Sequence, residues 1–280
     1  MDIKLQADEF ALIRRWVEEI CGISVDDRKA YLIENRLAGL VAENRCASFG
    51  EFYQKFKNSC PPALRERIID QMTTNETLWF RDTHPFTIFR EILLPSYCQE
   101  IAAGARRSIR VWSSACSTGQ EPYSLAMLLL EAMRNNNQLK RGMIDILASD
   151  ISDSALAQAR SGCYDKIAVN RGLPPEYRSR YFSDEKRLWH VAPEVKELVR
   201  FEKFNLQDSF ARLGSFDIIF CRNVAIYFAE KFKRELFAKY ARILNRAGIL
   251  FLGSSESISL YSNEYDMLEH NKGIYYRVRK

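Results

Sequence analysis

The segment VWSSACSTGQEPYS, residues 111–124, places an acidic side chain where an apolar strand turns into a helix. Pro122 suits the first turn of that helix, where its missing N–H is no loss. Turns of this kind bind nucleotide-like ligands in open α/β sheets. Gly119 is the single glycine of the turn, so the pattern is not a G-x-G-x-x-G dinucleotide fingerprint. Glu121 would repel a phosphate, which favours a ligand with positive charge and no phosphate. An ordinary loop, in which Glu121 only complements the helix dipole, stays open.

An acid and an amide follow two further segments that read as strands. Asp150 comes directly after ILAS, where a carboxylate can accept hydrogen bonds from both hydroxyls of a ribose. A helix N-cap is the alternative role for an aspartate at this point. Asn205 and Leu206 end the segment LVRFEKFNL and offer polar backbone and an apolar side chain to the edge and face of an adenine. These positions favour a ligand that contains adenosine.

Two segments add arginine to the same set. FDIIFCRNVAIYF runs from an apolar strand directly into Arg222 and Asn223, with Tyr227 one helical turn further on. The segment TTNETLWFRD, residues 73–82, contributes Asn75, Thr77 and Arg81. A capping box of Thr73 with Glu76 would explain the threonine and the glutamate, but not the amide or the arginine. Together these side chains describe a site for a cationic ligand with a ribose, an amino-acid tail and no phosphate. S-adenosylmethionine fits each of these properties.

The elements that must position these side chains follow two patterns. Residues 1–72 show helical spacing of apolar residues and predict an all-helical N-terminal domain. Beyond residue 105 strands alternate with helices, which is typical of a parallel α/β sheet. We expect strands at 109–113, 144–149, 216–221 and 248–253, helices at 122–134, 153–160 and 230–245, and a terminal strand in GIYYRVRK. Residues 174–206 read as short antiparallel strands, which predicts a small inserted β-subdomain.

Composition excludes several classes of protein. The chain has 280 residues, 28% of them charged, and a net charge of +5, without the dense basic stripe of a dedicated nucleic-acid binder. Its seven cysteines and three histidines are scattered, so neither a metal site nor a disulfide framework is expected. The first residues lack the apolar core of a signal peptide, and no apolar run reaches the length of a membrane span. We therefore expect a cytoplasmic protein with no membrane insertion.

The ordered set of motifs resembles one known family. TTNETLWFRD, VWSSACSTGQEPYSLAM, ASDIS, ARSGCYD, FNL, FDIIFCRNVAIYF and AGILFLGSSES are similar, in this order, to the chemotaxis receptor glutamate methyltransferases of the CheR family. The resemblance covers essentially the whole chain, and the linked set is specific although no single motif is. Gln120 is a departure, since the family more often has an acid there. The resemblance implies a helical domain at 1–72, followed at 73–280 by a class I, Rossmann-like, S-adenosylmethionine-dependent methyltransferase domain.

The resemblance also implies roles for individual residues. By motif, contacts to the cofactor would come from Asn75, Thr77, Arg81, Glu121, Asp150, Asn205, Leu206, Arg222 and Asn223. Arg81, Arg222 and Tyr227 would border the methyl group that is transferred to a glutamate carboxylate, leaving S-adenosylhomocysteine. No metal is implied. The rival functions are a non-catalytic module that binds S-adenosylmethionine and a nucleic-acid methyltransferase. Methyltransferases that act on the amino groups of nucleic-acid bases often carry an Asn-Pro-Pro-aromatic turn after the corresponding strand. This chain has RNVAIY there instead, which disfavours the second rival.

The resemblance makes the helical cytoplasmic region of chemoreceptors the expected partner. Arg28, Lys29 and Arg36 fall within one arc of a predicted helix and would steer glutamate-rich receptor helices, unless they form only a solvated face. In the family the inserted subdomain can also bind a pentapeptide at the receptor's C-terminus. Members that do so carry a longer, glycine-containing loop, whereas residues 183–186 are short and lack glycine. We therefore expect no peptide tether here.

Overall fold

The N-terminal domain is a bundle of four helices. A computed structural model describes residues 3–280 of the chain. The helices are α1 (Ala7–Cys21), α2 (Ala30–Glu43), α3 (Phe49–Phe56) and α4 (Pro62–Met72). A capping box of Gln6 with Glu9 starts α1, and the Ser48 hydroxyl caps α3. Their apolar faces meet in a core of their own, in which Trp16 and Phe52 pack edge to face at 5.8 Å.

A seven-stranded sheet forms the centre of the second domain. Its strands are β1 (Ile109–Ser113), β2 (Ile144–Asp150), β6 (Val199–Lys203), β7 (Phe216–Phe220), β8 (Leu244–Phe251), β9 (Tyr265–His270) and β10 (Gly273–Val278). They lie in the order β6-β2-β1-β7-β8-β10-β9. The first five are parallel, whereas β10 is antiparallel to both of its neighbours. The strand order reverses at β1 and β7, which is where such sheets bind ligands.

Helices cover both faces of this sheet. They are α7 (Gln120–Asn135), α8 (Asp153–Ser161), α12 (Glu230–Ile243) and a continuous helical run at 84–102 made of α5 (His84–Ile88), a π-helical turn and α6 (Leu94–Ala102). Gly119, at φ 97°, ends the turn between β1 and α7, and a Cβ atom there would lie 2.9 Å from Ala159 Cβ. Glycine therefore allows α7 to begin tightly against α8.

The inserted β-subdomain, residues 163–191, consists of β3 (Cys163–Asp165), α9 (Lys166–Asn170), α10 (Pro175–Tyr181), β4 (Phe182–Glu185) and β5 (Leu188–Val191). The antiparallel order is β3-β5-β4. A short helix, α11 (Pro193–Lys196), leads back to the main sheet. The prediction of a subdomain at 174–206 was wrong for one strand, because Val199–Lys203 pairs in parallel with β2 and belongs to the main sheet. Its third strand is instead Cys163–Asp165, which precedes the predicted range.

The predicted α/β architecture is confirmed, and the predicted strands and helices lie within a few residues of their observed positions. The strand at 109–113 has the predicted bounds, and the helices predicted at 122–134 and 230–245 are observed at Gln120–Asn135 and Glu230–Ile243. Strand β9 and the helical run at 84–102 were not predicted. In the described chain, 3–280, no helix is both long and apolar enough to cross a membrane.

Candidate active site

A cleft opens at the carboxyl ends of the central strands, with about 940 Å³ of empty space that includes its solvent-open mouth. Strands β1, β2 and β7 point into it, and the N-terminal domain closes one side through Cys21, Ile23 and Met72. The predicted site residues all line this one cleft: Asn75, Thr77, Arg81, Glu121, Asp150, Asn205, Leu206, Arg222, Asn223 and Tyr227. The cleft therefore collects side chains that are up to about half the chain apart in sequence. The individual roles assigned to them remain predictions.

Asp150 is a buried carboxylate held by backbone donors. Its Oδ2 accepts a hydrogen bond of 2.8 Å from the Ser117 N–H, and its Oδ1 one of 3.0 Å from the Ser152 N–H. Burial raises the pKa of Asp150 above the ordinary aspartate value, while these donors oppose the rise. Ser152 caps α8 and also donates to Asp70 of the N-terminal domain at 2.6 Å. The alternative role of Asp150 as N-cap is thus taken by Ser152, and Asp150 is fixed at the cleft.

Arg222 lines the cleft at the centre of a buried ion cluster. Its side chain is 2% exposed and donates to Glu121 at 2.7 Å and to Asp82 at 2.9 Å. It also donates to the backbone carbonyl of Arg81 at 2.6 Å. Glu121 accepts a further bond from Ser113 at 2.7 Å, so both of its oxygens are engaged. The charge of Glu121, from which the sequence predicted a cationic ligand without phosphate, is therefore balanced within the protein by Arg222.

Arg81 lies in a segment that has neither helix nor strand. This linking segment, residues 73–83, joins the two domains along the cleft. The half-buried Arg81 side chain lines the cleft and donates to the Glu76 carbonyl at 3.2 Å. Phe80, Asp82 and Thr83 have φ of 48°, 64° and 48°, a left-handed conformation that costs non-glycine residues about 1–3 kcal/mol each. Such strain persists only where the surroundings hold it.

The loop after β7 is shaped by Glu256, which the sequence did not single out. Its carboxylate accepts bonds from the backbone N–H groups of Asn223 (2.6 Å), Gly253 (2.7 Å) and Ile226 (3.2 Å). These bonds hold Asn223 at φ 56°. Tyr227 follows in the same loop, and its carbonyl accepts a bond from the Ser24 N–H at 2.8 Å. Glu256 thus positions Asn223 directly and Tyr227 only through the neighbouring Ile226, and its place within AGILFLGSSES was the one signal for it.

The N-terminal domain contributes more to the cleft than the sequence indicated. Asn205 donates through its side chain to the Ile20 carbonyl at 3.2 Å and accepts from the Gln207 N–H at 3.0 Å. Its amide is therefore used mainly to join the domains, although the residue lines the cleft. Ile23 forms an isolated antiparallel bridge with Phe228. Nothing in the spacing of α1 marked Cys21 or Ile23 as cleft residues.

The predicted basic arc is not formed as expected. Arg36 donates to the Met72 carbonyl at 2.5 Å, to the Thr73 carbonyl at 3.4 Å and to the Thr74 hydroxyl at 3.0 Å. It thus fastens the start of the linking segment, because α4 ends there with carbonyls that need donors. Arg28 is 91% exposed beside Asp26, and Lys29 is exposed.

Covalent thiol chemistry is not favoured in this cleft. Burial raises the pKa of Cys21 to about 11 and that of Cys116 well above the usual thiol range. Both thiols are therefore protonated near neutral pH and are poor nucleophiles. Within residues 3–280, no group of three or more metal-ligating side chains is present.

The cleft residues fit S-adenosylmethionine. Asp150 offers a carboxylate at the end of β2, where a ribose diol can be held. Among the described residues, Arg222 Nε and Asn223 Oδ1 are buried polar atoms without a partner, and both residues line the cleft. Orphaned polar atoms of this kind are satisfied by a ligand or an ordered water. When bound, S-adenosylmethionine supplies an electrophilic methyl group on a sulfonium.

Comparison with known proteins identifies the family. Residues 75–274 match the profile described as CheR methyltransferase, SAM binding domain, and residues 8–73 match CheR methyltransferase, all-alpha domain. The chain belongs to the CheR methyltransferase family. It is 42% identical to chemotaxis protein methyltransferase 1 of Pseudomonas aeruginosa over 273 residues, 97% of this chain and 98% of that one. It is 43% identical to the chemotaxis protein methyltransferase of Vibrio parahaemolyticus over 279 residues, 99% of each chain.

The family confirms the resemblance and the cofactor predicted from the sequence. The chain is an S-adenosylmethionine-dependent methyltransferase with an all-helical domain ahead of its cofactor-binding domain.

Replacing Asp150 by alanine should weaken binding of S-adenosylhomocysteine by about 1–3 kcal/mol, the range for losing a charged hydrogen-bond acceptor. Only the carboxylate form accepts from both ribose hydroxyls, and burial has raised its pKa. The affinity of the wild-type protein should therefore fall on acidification from a higher pH than the ordinary aspartate pKa of about 3.9 would give. Calorimetry across pH measures both effects. Asp153→Ala, outside the cleft, is the matched control, and an unchanged affinity in folded Asp150→Ala would remove Asp150 from the site.

Proposed function

We propose that this protein transfers the methyl group of S-adenosylmethionine to glutamate side chains of chemoreceptors and forms methyl esters. The named activity of the relatives, chemotaxis protein methyltransferase, supports this substrate. Chemoreceptors present these glutamates on the cytoplasmic side, so we propose that the protein acts in the cytoplasm.

The chemistry requires little acid–base help from the protein. A glutamate carboxylate has an unperturbed pKa of about 4.3 and is ionised at neutral pH, so no base has to remove a proton. The residues of the chain must instead bring the carboxylate into line with the methyl group and exclude water. Positioning of this kind can lower a barrier by about 7–11 kcal/mol.

The observation that carries the proposal is the position of the Arg81 guanidinium in the cleft. Arg222 is already engaged by Glu121 and Asp82, whereas the guanidinium of Arg81 donates to the uncharged Glu76 carbonyl and faces the cleft. A guanidinium has five N–H donors in a planar fork, which matches a carboxylate. We propose that Arg81 orients the substrate carboxylate beside Tyr227. Arg222 borders the same region and holds the Arg81 backbone from behind.

The experiment that tests this function is an incubation with labelled methyl donor, chemoreceptor-bearing membranes and nucleic acid in one mixture. We expect label on the membrane receptors that is released by mild base, as an ester requires. Label on nucleic acid would favour a nucleic-acid methyltransferase. Binding of the donor without transfer to receptor would favour a non-catalytic module, the other rival.

We propose that receptors reach this site by docking directly, without a peptide tether. Ile23 lines the cleft, and the exposed Arg28 and Lys29 follow it closely in the chain. In the inserted subdomain, β4 and β5 are joined by Lys186 and Arg187 at φ 52° and 73°, the two-residue turn of a tight hairpin. The connection between β4 and β5 is therefore too short to bend around a peptide. The exposed Asp184 and Glu185 on the edge strand β4 would also repel a terminal carboxylate.

Reversing the charges of Arg28 and Lys29 to glutamate should lower the methylation rate several-fold at low salt and flatten its dependence on salt, with the affinity for S-adenosylhomocysteine unchanged. Arg246→Glu is the control for a change of net charge elsewhere. A C-terminal receptor peptide, added in excess, should leave the wild-type rate unchanged. A wild-type rate in the double variant would mean that Arg28 and Lys29 form only a solvated surface. Inhibition by the peptide would show that a tether site exists.

A further inference from the structure

The linking segment depends on other parts of the chain for its conformation. Residues 73–83 form no helix or strand, yet they carry Asn75, Thr77 and Arg81 into the cleft. The Trp79 N–H donates to the Arg171 carbonyl of the inserted subdomain at 3.2 Å, and the Phe80 N–H donates to the Ser124 hydroxyl at 3.3 Å. The end of the segment is thus fixed between the subdomain and α7.

Aromatic side chains of the inserted subdomain surround Trp79. The indole is fully buried and packs edge to face on Tyr164 of β3 at 5.0 Å and on Phe182 of β4 at 5.1 Å. The next residue, Phe80, packs on Tyr177 of α10 at 4.9 Å. Aromatic pairs of this geometry contribute about 0.5–1.5 kcal/mol beyond the area they bury. Three elements of the subdomain therefore hold the two residues that precede Arg81.

The backbone of the subdomain lies equally close to the segment. Gly172 has φ of 92°, and a Cβ atom there would overlap the carbonyl oxygen of Trp79 and lie 3.0 Å from a methyl carbon of Leu78. A side chain at this position would therefore push Trp79 away. The ion pair of Arg171 with Glu76, at 2.7 Å, adds a second link along the same edge.

These contacts hold a strained turn, in which Phe80, Asp82 and Thr83 have positive φ. A turn with three left-handed non-glycine residues relaxes unless its flanks are held. Arg222 holds one side of the turn through its bonds to the Arg81 carbonyl and the Asp82 carboxylate, and the subdomain holds the residues that precede Arg81. We propose that the inserted β-subdomain is the positioning element of Arg81, with Tyr164, Phe182 and Gly172 fixing Trp79 and thereby the guanidinium. This proposal rests on the function proposed above, and it gives the subdomain a role that requires no tether peptide.

Gly172→Ala tests the proposal, and Gly104→Ala is its matched control. Gly104 has a similar φ of 72°, but a Cβ atom there would meet nothing within 4 Å. Both variants thus place an alanine at positive φ, and only Gly172→Ala displaces Trp79. Phe182→Leu is a second variant, which loosens the grip on the indole without backbone strain.

We expect Gly172→Ala to lower turnover on receptor by about tenfold or more, since a displacement of about 1 Å can cost 100-fold. Its affinity for S-adenosylhomocysteine should change by less than about threefold, which separates a positioning effect from loss of fold. Hydrogen exchange at the amides of Trp79 and Phe80 should be faster than in Gly104→Ala. Phe182→Leu should likewise lower turnover and speed exchange, with its affinity again changed by less than about threefold.

Equal turnover and equal exchange in Gly172→Ala and Gly104→Ala would overturn the proposal. Parallel loss of turnover and affinity in Gly172→Ala and in Phe182→Leu would also overturn it, because the subdomain would then support the whole fold. Exchange and affinity do not depend on the receptor, so failure of the proposed function, seen as no transfer by the wild-type protein, is distinguished from failure of this inference.

Discussion

Replacing Arg222 by methionine should lower the free energy of unfolding by about 3–5 kcal/mol, the cost of leaving buried charges without their partner. The side chain is 2% exposed and is the shared donor to Glu121 and Asp82, which are themselves 12% and 22% exposed. Methionine fills a similar volume but cannot donate, so the Glu121 carboxylate in the cleft wall and the Asp82 carboxylate would both lose their partner. Urea denaturation followed by circular dichroism measures the loss.

Arg67→Met is the matched control for this prediction. Arg67 pairs with Glu43 on the surface of the helical domain, where both side chains are about half exposed, and such pairs contribute about 0–1 kcal/mol. Adding Glu121→Gln to Arg222→Met should recover part of the loss, because it removes one of the stranded charges. A loss for Arg222→Met no greater than that for Arg67→Met would contradict the account of this cluster.

Arg81→Ala should lower turnover on receptor by about 100-fold, since loss of alignment at the reacting centre can cost that much. The affinity for S-adenosylhomocysteine should fall by less than about threefold, because the guanidinium is proposed to hold the acceptor carboxylate and not the adenosine. Tyr227→Phe, which keeps the ring, should show a smaller loss of turnover with the same split. Single-turnover kinetics and calorimetry measure the two quantities separately.

Arg107→Ala, a change to an exposed arginine outside the cleft, should leave both quantities unchanged. Equal losses of turnover and affinity in Arg81→Ala would make Arg81 a binding residue for the cofactor.

The sequence predicted the central sheet well because its strands carry strong local signals. Strands β1, β2 and β7 are apolar runs buried on both faces and bounded by polar turns, and their carboxyl ends place Glu121, Asp150 and Arg222 at one edge by topology alone. Strand β6 carries a weaker signal. At the edge of the sheet, Val199–Lys203 alternates with polar residues and reads as antiparallel, although it pairs in parallel with β2. The strand with which β6 pairs is set by the topology of the whole sheet, and the local pattern of residues does not reveal it.

Side-chain direction was the second limit. Arg36 shares its helix with Tyr31 and the buried Ile33, and its spacing cannot show that its guanidinium binds the carbonyls at the end of α4. The pairing of Glu121 with Arg222 joins residues 101 positions apart, so the sequence alone presented two separate charges. Cys21 and Ile23 entered the cleft wall only through packing of the two domains. Contacts between domains depend on the complete fold, whereas motif positions depend on short stretches of chain.

The most direct test of the proposed function is mass spectrometry of receptor peptides after incubation with S-adenosylmethionine and this protein. We predict glutamate-containing peptides from the helical cytoplasmic region of the receptor that gain the mass of one methylene group. Mild base should remove the added mass, and Arg81→Ala should abolish most of it while still binding S-adenosylhomocysteine. Receptor peptides that stay unmodified, or that carry a methyl group resistant to base on another residue type, would contradict glutamate esterification in this cleft.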